Sequence, residues 1–218
     1  MSLKDTLKKK TLEAEARDRQ RMPTMYRTAY HRFFEGYSEV LEEDERGRRH
    51  IRRVYTGKYY EPVSSPARRT VIKAGYSAAA ICSDVLVLLA GAKDTAANRT
   101  PIANLPFMLS LAALFWVCAS VLTYLFTKRR MTIHEYKSSS RSVKRSTLAA
   151  SIALSASALT ALLFPVLGLE SVPSAGYLCA GELAASAALM FAVNRTEYSE
   201  KYSEIKNEIS LPDSALIE

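Results

Sequence analysis

The sequence predicts an all-α integral membrane protein, a four-transmembrane-helix bundle with cytoplasmic amphipathic helices at both ends. Three observations carry this. Four stretches are apolar enough and long enough to cross a hydrocarbon core of about 30 Å, which takes about 20 residues in a helix. Charge is segregated: 24% of the 218 residues are charged, but they crowd into 1–70, 128–147 and 194–218. Finally, Lys and Arg are distributed unequally between the loops, which sets an orientation.

Leu105 to Thr127 is the clearest run, free of charge and stopped by Lys128, Arg129 and Arg130. Leu148 to Gly168 is rich in Ala and Ser and closes at Pro165. Pro173 to Asn194 opens with proline, which the first helical turn tolerates, and carries Glu182 as its only charge. Val71 to Ala92 carries Lys73 near its start, where the amine can snorkel to the interface. It also carries Asp84 well inside, at a cost of about 2.5–3.5 kcal/mol on insertion scales. The run Val85 to Leu89 offsets most of that. The predicted domains are therefore 1–70, a transmembrane domain over 71–194 with spans 71–92, 105–127, 148–168 and 173–194, and an acidic tail over 195–218.

The loop from Lys128 to Thr147 holds seven Lys and Arg residues, against two in the first loop and none in the third. The positive-inside rule places it in the cytoplasm, and four spans place both termini there too. About 70 polar residues precede the first apolar run, too long for the charged start of a cleavable signal. The net charge of +8 lies beside apolar spans, which favours anionic lipid and topology over nucleic acid; no recognition-helix motif occurs and acidic residues interrupt the basic ones. Cys82, Cys118 and Cys179 each fall in a different span. Their spacing writes neither a zinc site nor a redox pair, and they read as small apolar residues.

In the polar regions, Tyr26, Tyr30, Phe33, Phe34, Tyr37, Val40 and Leu41 recur at spacings of three and four. That predicts one aromatic face of a helix. Arg46, Arg48, Arg49, Arg52 and Arg53 follow, with tyrosines just beyond. Basic and aromatic residues beside a span suit anionic headgroups, each cation contributing about 1 kcal/mol near the surface. Phe33, Phe34, Tyr37, Arg48, Arg49, Arg52 and Arg53 are thus candidate lipid- or partner-binding residues, although positive-inside anchoring alone explains the cluster more simply. Tyr198, Tyr202, Ile205 and Ile209 make a similar stripe in the acidic tail, which a helix could dock on the basic region.

Asp84 and Glu182 are the candidate intramembrane ionisable pair. At 1.5 Å per residue they lie about 12 Å and about 13 Å from the outer ends of their spans. Two carboxylates at one depth would share a proton or a cation, with Ser83, Tyr177 and Ser186 as possible hydrogen-bond partners. The plainer alternative is that each ties helices together. Small-residue stripes Ala149, Ala153, Ser157 and Gly176, Ala180, Ala184 favour close packing of the last two helices over dimerisation. His31, His50 and His134 lack metal spacing, and no phosphate loop, serine elbow or His-Glu-x-x-His occurs. The expectation is a non-catalytic protein without metal or cofactor, an accessory or scaffolding subunit of a membrane assembly. Its partners would be the bilayer, other membrane proteins or further copies of itself. A small proton- or cation-coupled transporter or channel using Asp84 and Glu182 is the alternative.

Overall fold

The computed structural model describes residues 35–43 and 49–206. In chain order these form strands β1 (Tyr37–Glu43), β2 (Arg49–Tyr55) and β3 (Tyr59–Pro62), then helices α1 (Pro66–Gly91), α2 (Ala96–Arg99), α3 (Pro101–Phe126), α4 (Ile133–Ser138), α5 (Ser140–Val166) and α6 (Pro173–Ser199), and last strand β4 (Tyr202–Ile205). The chain divides into two compact units, one of residues 1–58 with 206–218, the other Tyr59–Ile205.

The second unit is mostly helical, and four of its helices are long and apolar enough to cross a membrane. Helices dominate because backbone N–H and C=O groups in an apolar environment must be satisfied within the segment itself. α1 starts where Ser65 caps it, its hydroxyl accepting from the Arg68 N–H at 3.3 Å, with Pro66 in the first turn. Pro101 and Pro173 likewise stand in the first turns of α3 and α6, there without a side-chain cap. α4 begins on a reciprocal cap between Thr132 and Glu135. The helices exceed the spans read from the sequence: α1 has 26 residues and α6 has 27. Much of the excess lies at one end of the bundle, near residues 66–73, 127–147 and 194–202; this is called the basic end below.

α5 and α6 are the most extensively packed pair; α3 lies against α5, α1 against α6, and α1 closes on α3 over a smaller area. The first and last spans are therefore neighbours, as the four-helix reading anticipated. The core is made of small residues and a few large ones, among them Val87, Val117, Ala150, Leu154, Leu183 and Met190. Small side chains let the backbones approach: a Cβ on Gly176 would meet the Pro165 ring at 3.1 Å. The stripe Gly176–Ala180 thus serves packing of α6 on α5 within one chain. Outward faces are apolar instead, with Val71, Phe115 and Leu163 exposed. From Val71 to Leu89 on α1 the exposed apolar residues span about 27 Å at 1.5 Å per residue, close to the hydrocarbon thickness.

β3 and β4 form an antiparallel ribbon, with Tyr59 opposite Ile205 and Pro62 opposite Tyr202. Tyr60 also bridges to Met131 on its other side. The helix expected through Tyr198, Tyr202 and Ile205 therefore ends at Ser199. Glu200 turns extended and the chain continues as β4; Ile209 lies outside the described residues.

The first unit contains the antiparallel hairpin β1–β2, with Tyr37 opposite Tyr55 and Glu43 opposite Arg49. This corrects the amphipathic helix expected over Tyr26 to Leu41, at least for Tyr37, Val40 and Leu41; Tyr26 to Phe34 lie outside the described residues. The reason is local. Gly36 takes a φ of +84°, which a right-handed helix cannot contain, and its carbonyl accepts from the Thr56 and Gly57 N–H groups at 2.8 and 2.9 Å. A side chain there would also strike the Tyr55 ring. The β-branched and aromatic residues of 49–55 then supply a strand partner.

A packing prediction follows for α5. Ala150 is fully buried, whereas Ile152 faces outward. Ala150→Leu should lower the stability of the detergent-solubilised protein by about 1–3 kcal/mol, the range for overpacking. Ile152→Leu should leave it within about 0.5 kcal/mol. Equal effects would contradict the assignment of faces.

Candidate functional site

The polar side chains of the bundle gather at three levels. The middle level contains Asp84. It lies on α1 and accepts from the Cys118 thiol of α3, Sγ to Oδ2 3.1 Å. Its neighbour Ser83 turns the other way and is hydrogen-bonded to Ser186 of α6. These contacts place one polar tie on each flank of α1. Cys118, expected to be merely a small apolar residue, is thus a hydrogen-bond donor as well.

The level toward the opposite end contains Glu182. Its carboxylate forms an ion pair with Lys93, which follows α1 and reaches back along it. Both side chains are about a quarter exposed. At the mouth nearby, Glu170 accepts from the Ala96 N–H at 2.9 and 3.1 Å, and Arg99 pairs with Asp94 at 2.6 Å. The Arg99 guanidinium holds the Asp94 carboxyl below the usual carboxylate range. The Asn98 side-chain amide donates to the Ala90 and Lys93 carbonyls. Asp84 and Glu182 therefore have separate partners, and Ser83 and Ser186 bond each other rather than either carboxylate.

The basic end holds the most elaborate level. Glu197 of α6 is fully buried. Its Oε2 accepts from the Tyr76 hydroxyl of α1 at 2.9 Å. Its Oε1 accepts from the Ser140 hydroxyl at the start of α5 and from the Tyr202 hydroxyl of β4 at 2.7 Å. Tyr124 of α3 completes the ring of elements, its ring centroid 5.5 Å from that of Tyr76. Every long helix and the ribbon thus place a side chain here. Three donors on two oxygens suit a carboxylate, an acceptor-only group when ionised. Burial, reinforced by Glu197, pushes the Tyr202 phenol above its usual value.

Around this carboxylate the ribbon is anchored by rings and charges. Tyr136 stacks on Tyr60 at 4.6 Å and meets Tyr202 edge-on at 5.0 Å. Glu61 pairs with Arg129 at 2.5 Å and Arg130 at 3.5 Å, and Glu200 pairs with Arg68 at 3.0 Å. Arg69 donates to the Lys128 and Arg129 carbonyls, and Lys73 to those of Leu125 and Thr127. The two cations close the frayed carbonyl end of α3, where positive charge is favourable.

Sequence reasoning missed Glu197, reading it only as one charge of the acidic tail. A signal was present. Leu183, Ala187, Met190 and Asn194 recur at spacings of four and three on the buried face of α6, and the next step lands on Glu197. Asn194 itself bonds the Lys144 carbonyl at 2.6 Å and Thr147 Oγ1 at 3.1 Å.

Of the candidate lipid- or partner-binding residues, Phe33, Phe34 and Arg48 lie outside the described residues. Tyr37 is exposed on β1, its ring 5.1 Å from that of Tyr55. The hairpin register sets Arg49 opposite Glu43, Arg53 opposite Glu39, and Arg52 opposite Val40. Among the described residues, no group of three His, Cys, Asp or Glu side chains is arranged to hold a metal.

The class that the fold and these sites define is a helical bundle with four helices able to span a membrane, cross-tied by buried polar side chains. Comparison with family models, with curated proteins and with solved structures gave no match.

The Glu197 cluster yields a graded prediction. Tyr202→Phe removes one donor and should cost about 1 kcal/mol, with faster amide exchange at residues 202–205. Glu197→Leu leaves three hydroxyls unpaired and should cost about 3 kcal/mol or more. Equal, negligible effects on unfolding and exchange would contradict the cluster.

Proposed function

We propose that this chain is a non-catalytic, multi-pass membrane protein that serves as an accessory, scaffolding or interaction subunit of a membrane assembly. Both termini would face the cytoplasm, as the positive-inside rule directs, so the basic end of the bundle would lie on that side. The bilayer, with its anionic lipids, and other membrane proteins or further copies of the chain would be its partners; nucleic acid would not.

The observation that carries this reading is the way the intramembrane ionisable groups are used. Asp84 is tied to Cys118 and Glu182 to Lys93. Each is a cross-link between elements of the same bundle, which is the structural use of polar groups in lipid. A proton- or cation-coupled cycle built on Asp84 and Glu182 would need the two carboxylates to act on one bound ion. Their separate partners favour the cross-linking role. An interaction role is supported further by where the polar segments leave the bundle. In the sequence, residues 1–58 precede β3 and residues 206–218 follow β4, and these two strands are paired. The bundle would serve as the membrane anchor and those segments as the surface offered to other proteins.

The experiment is flux measurement combined with partner recovery. Wild-type protein in proteoliposomes should carry no proton or cation current under an imposed gradient. Purification in mild detergent from native membranes should recover the same stoichiometric partners with wild type, Asp84→Asn and Glu182→Gln. Flux abolished by either amide substitution would overturn the scaffold reading in favour of transport.

A further inference from the structure

The cations at the basic end fall into two groups. On the α1–α3 side the arginines and Lys73 are engaged within the chain: Arg68 by Glu200, Arg129 and Arg130 by Glu61, Arg69 and Lys73 by helix-end carbonyls. On the α5–α6 side, Arg141, Arg145 and Arg195 are all exposed, and among the described residues none of them forms an ion pair or hydrogen bond. The Asn194–Lys144 and Asn194–Thr147 hydrogen bonds set α5 and α6 in register at this level. Arg195, next to Asn194, therefore lies level with the turn of α5 between Arg141 and Arg145.

Below the arginines the same faces become apolar within one turn. On α5 the exposed residues continue as Leu148 and Ile152, and on α6 Phe191 precedes Arg195 by one turn. Lys144 sits in the seam between the helices, its amine 5.1 Å from the centroid of the exposed Tyr198 ring. The surface thus joins unpaired guanidinium groups, an aromatic ring and an apolar track along the helix axes.

We infer that this α5–α6 corner binds the headgroup of an anionic phospholipid, with the phosphate on Arg141, Arg145 and Arg195 and an acyl chain along Leu148, Ile152 and Phe191. Arginine forks match phosphate oxygens two at a time. Tyrosine favours the interfacial level. The apolar track accounts for a lipid rather than a soluble anion. This rests on the reading of the chain as a membrane-embedded scaffold, and it moves the lipid contact from the amino-terminal arginines to the bundle itself.

The test uses the full-length protein in nanodiscs of phosphatidylcholine containing a minor fraction of spin-labelled phosphatidylglycerol or spin-labelled phosphatidylcholine. Wild type should immobilise the anionic lipid preferentially, and 0.5 M salt should weaken that preference, as expected for charges at a screened surface (about 4–5 Å Debye length). Each basic residue contributes about fivefold in partitioning, so the triple variant Arg141→Gln, Arg145→Gln, Arg195→Gln should lose at least about tenfold of the preference. Arg129→Gln with Arg130→Gln, whose cations serve Glu61, should lose far less. Retained preference in the triple variant, or equal loss in both, overturns the proposal. Displacement of the label by millimolar glycerophosphate would assign the site to free phosphate esters and overturn the acyl-chain part. Preference that appears only with a co-purified acidic protein would replace the lipid with a protein partner. Thermal unfolding of each variant monitors folding, and Arg141→Lys with Arg145→Lys and Arg195→Lys, which keeps the charge but not the guanidinium fork, should show a preference between wild type and the triple Gln variant. Protein that resists carbonate extraction yet shows no lipid preference would defeat only this inference; protein released by carbonate would defeat the membrane reading beneath it.

Discussion

The structure depends on a carboxylate with nowhere else to turn. Glu197 is fully buried among four helices and accepts hydrogen bonds from the hydroxyls of Tyr76, Ser140 and Tyr202. An unpaired carboxylate buried in this way would cost several kcal/mol, so each donor matters more than a hydrogen bond at the surface would. In lipid, helices gain little from apolar contact with one another, because acyl chains are as apolar as leucine. Polar ties and close approach of small residues must then specify which helices meet. Glu197 performs that task at the basic end, Ser83 with Ser186 in the middle, and Lys93 with Glu182 toward the opposite end.

These ties also explain why the two ends of the bundle differ. At the basic end the helices run past the hydrocarbon thickness, and the added turns carry tyrosines and arginines that hold the β3–β4 ribbon. At the opposite end the connections are short. α5 and α6 are joined across residues 167–172, and Gly168 takes a φ of +70°, which suits the tight reversal. The first connection is sealed by Asn98 and Glu170 rather than by a ribbon.

The spans were legible in the sequence because their signal is length of apolar run, which no neighbouring segment can override. Leu105 to Thr127 falls inside or at the edge of α3, and the span with Asp84 inside it forms α1 without a break. The strands were not legible. Tyr37, Val40 and Leu41 fit a spacing of three and four as well as a strand, and what decides between them is Arg49 to Tyr55 across the hairpin, a non-local pairing. Tyr202 and Ile205 failed for the same reason, since their strand exists only opposite Tyr59 to Pro62. Asp84 and Glu182 were recognised as unusual from hydropathy alone, but hydropathy says nothing about rotation around the helix axis. That rotation sends Asp84 to Cys118 and Ser83 to Ser186.

The central claim is that the Glu197 carboxylate couples α1 and β4 through hydrogen bonds to both of its oxygens, and a double-mutant cycle measures this directly. Tyr76→Phe and Tyr202→Phe remove donors from opposite oxygens of the same carboxylate, from α1 and from β4. Unfolding of the reconstituted protein is measured for wild type, both single variants and the double variant. If the carboxylate joins the two hydroxyls in one network, their effects should depart from additivity by about 0.5–3 kcal/mol, the range for residues sharing a hydrogen-bond partner. Effects that add to within about 0.3 kcal/mol, the behaviour of distant independent sites, would mean that Tyr76 and Tyr202 act separately, and the account of Glu197 as the tie among the helices and the ribbon would be wrong.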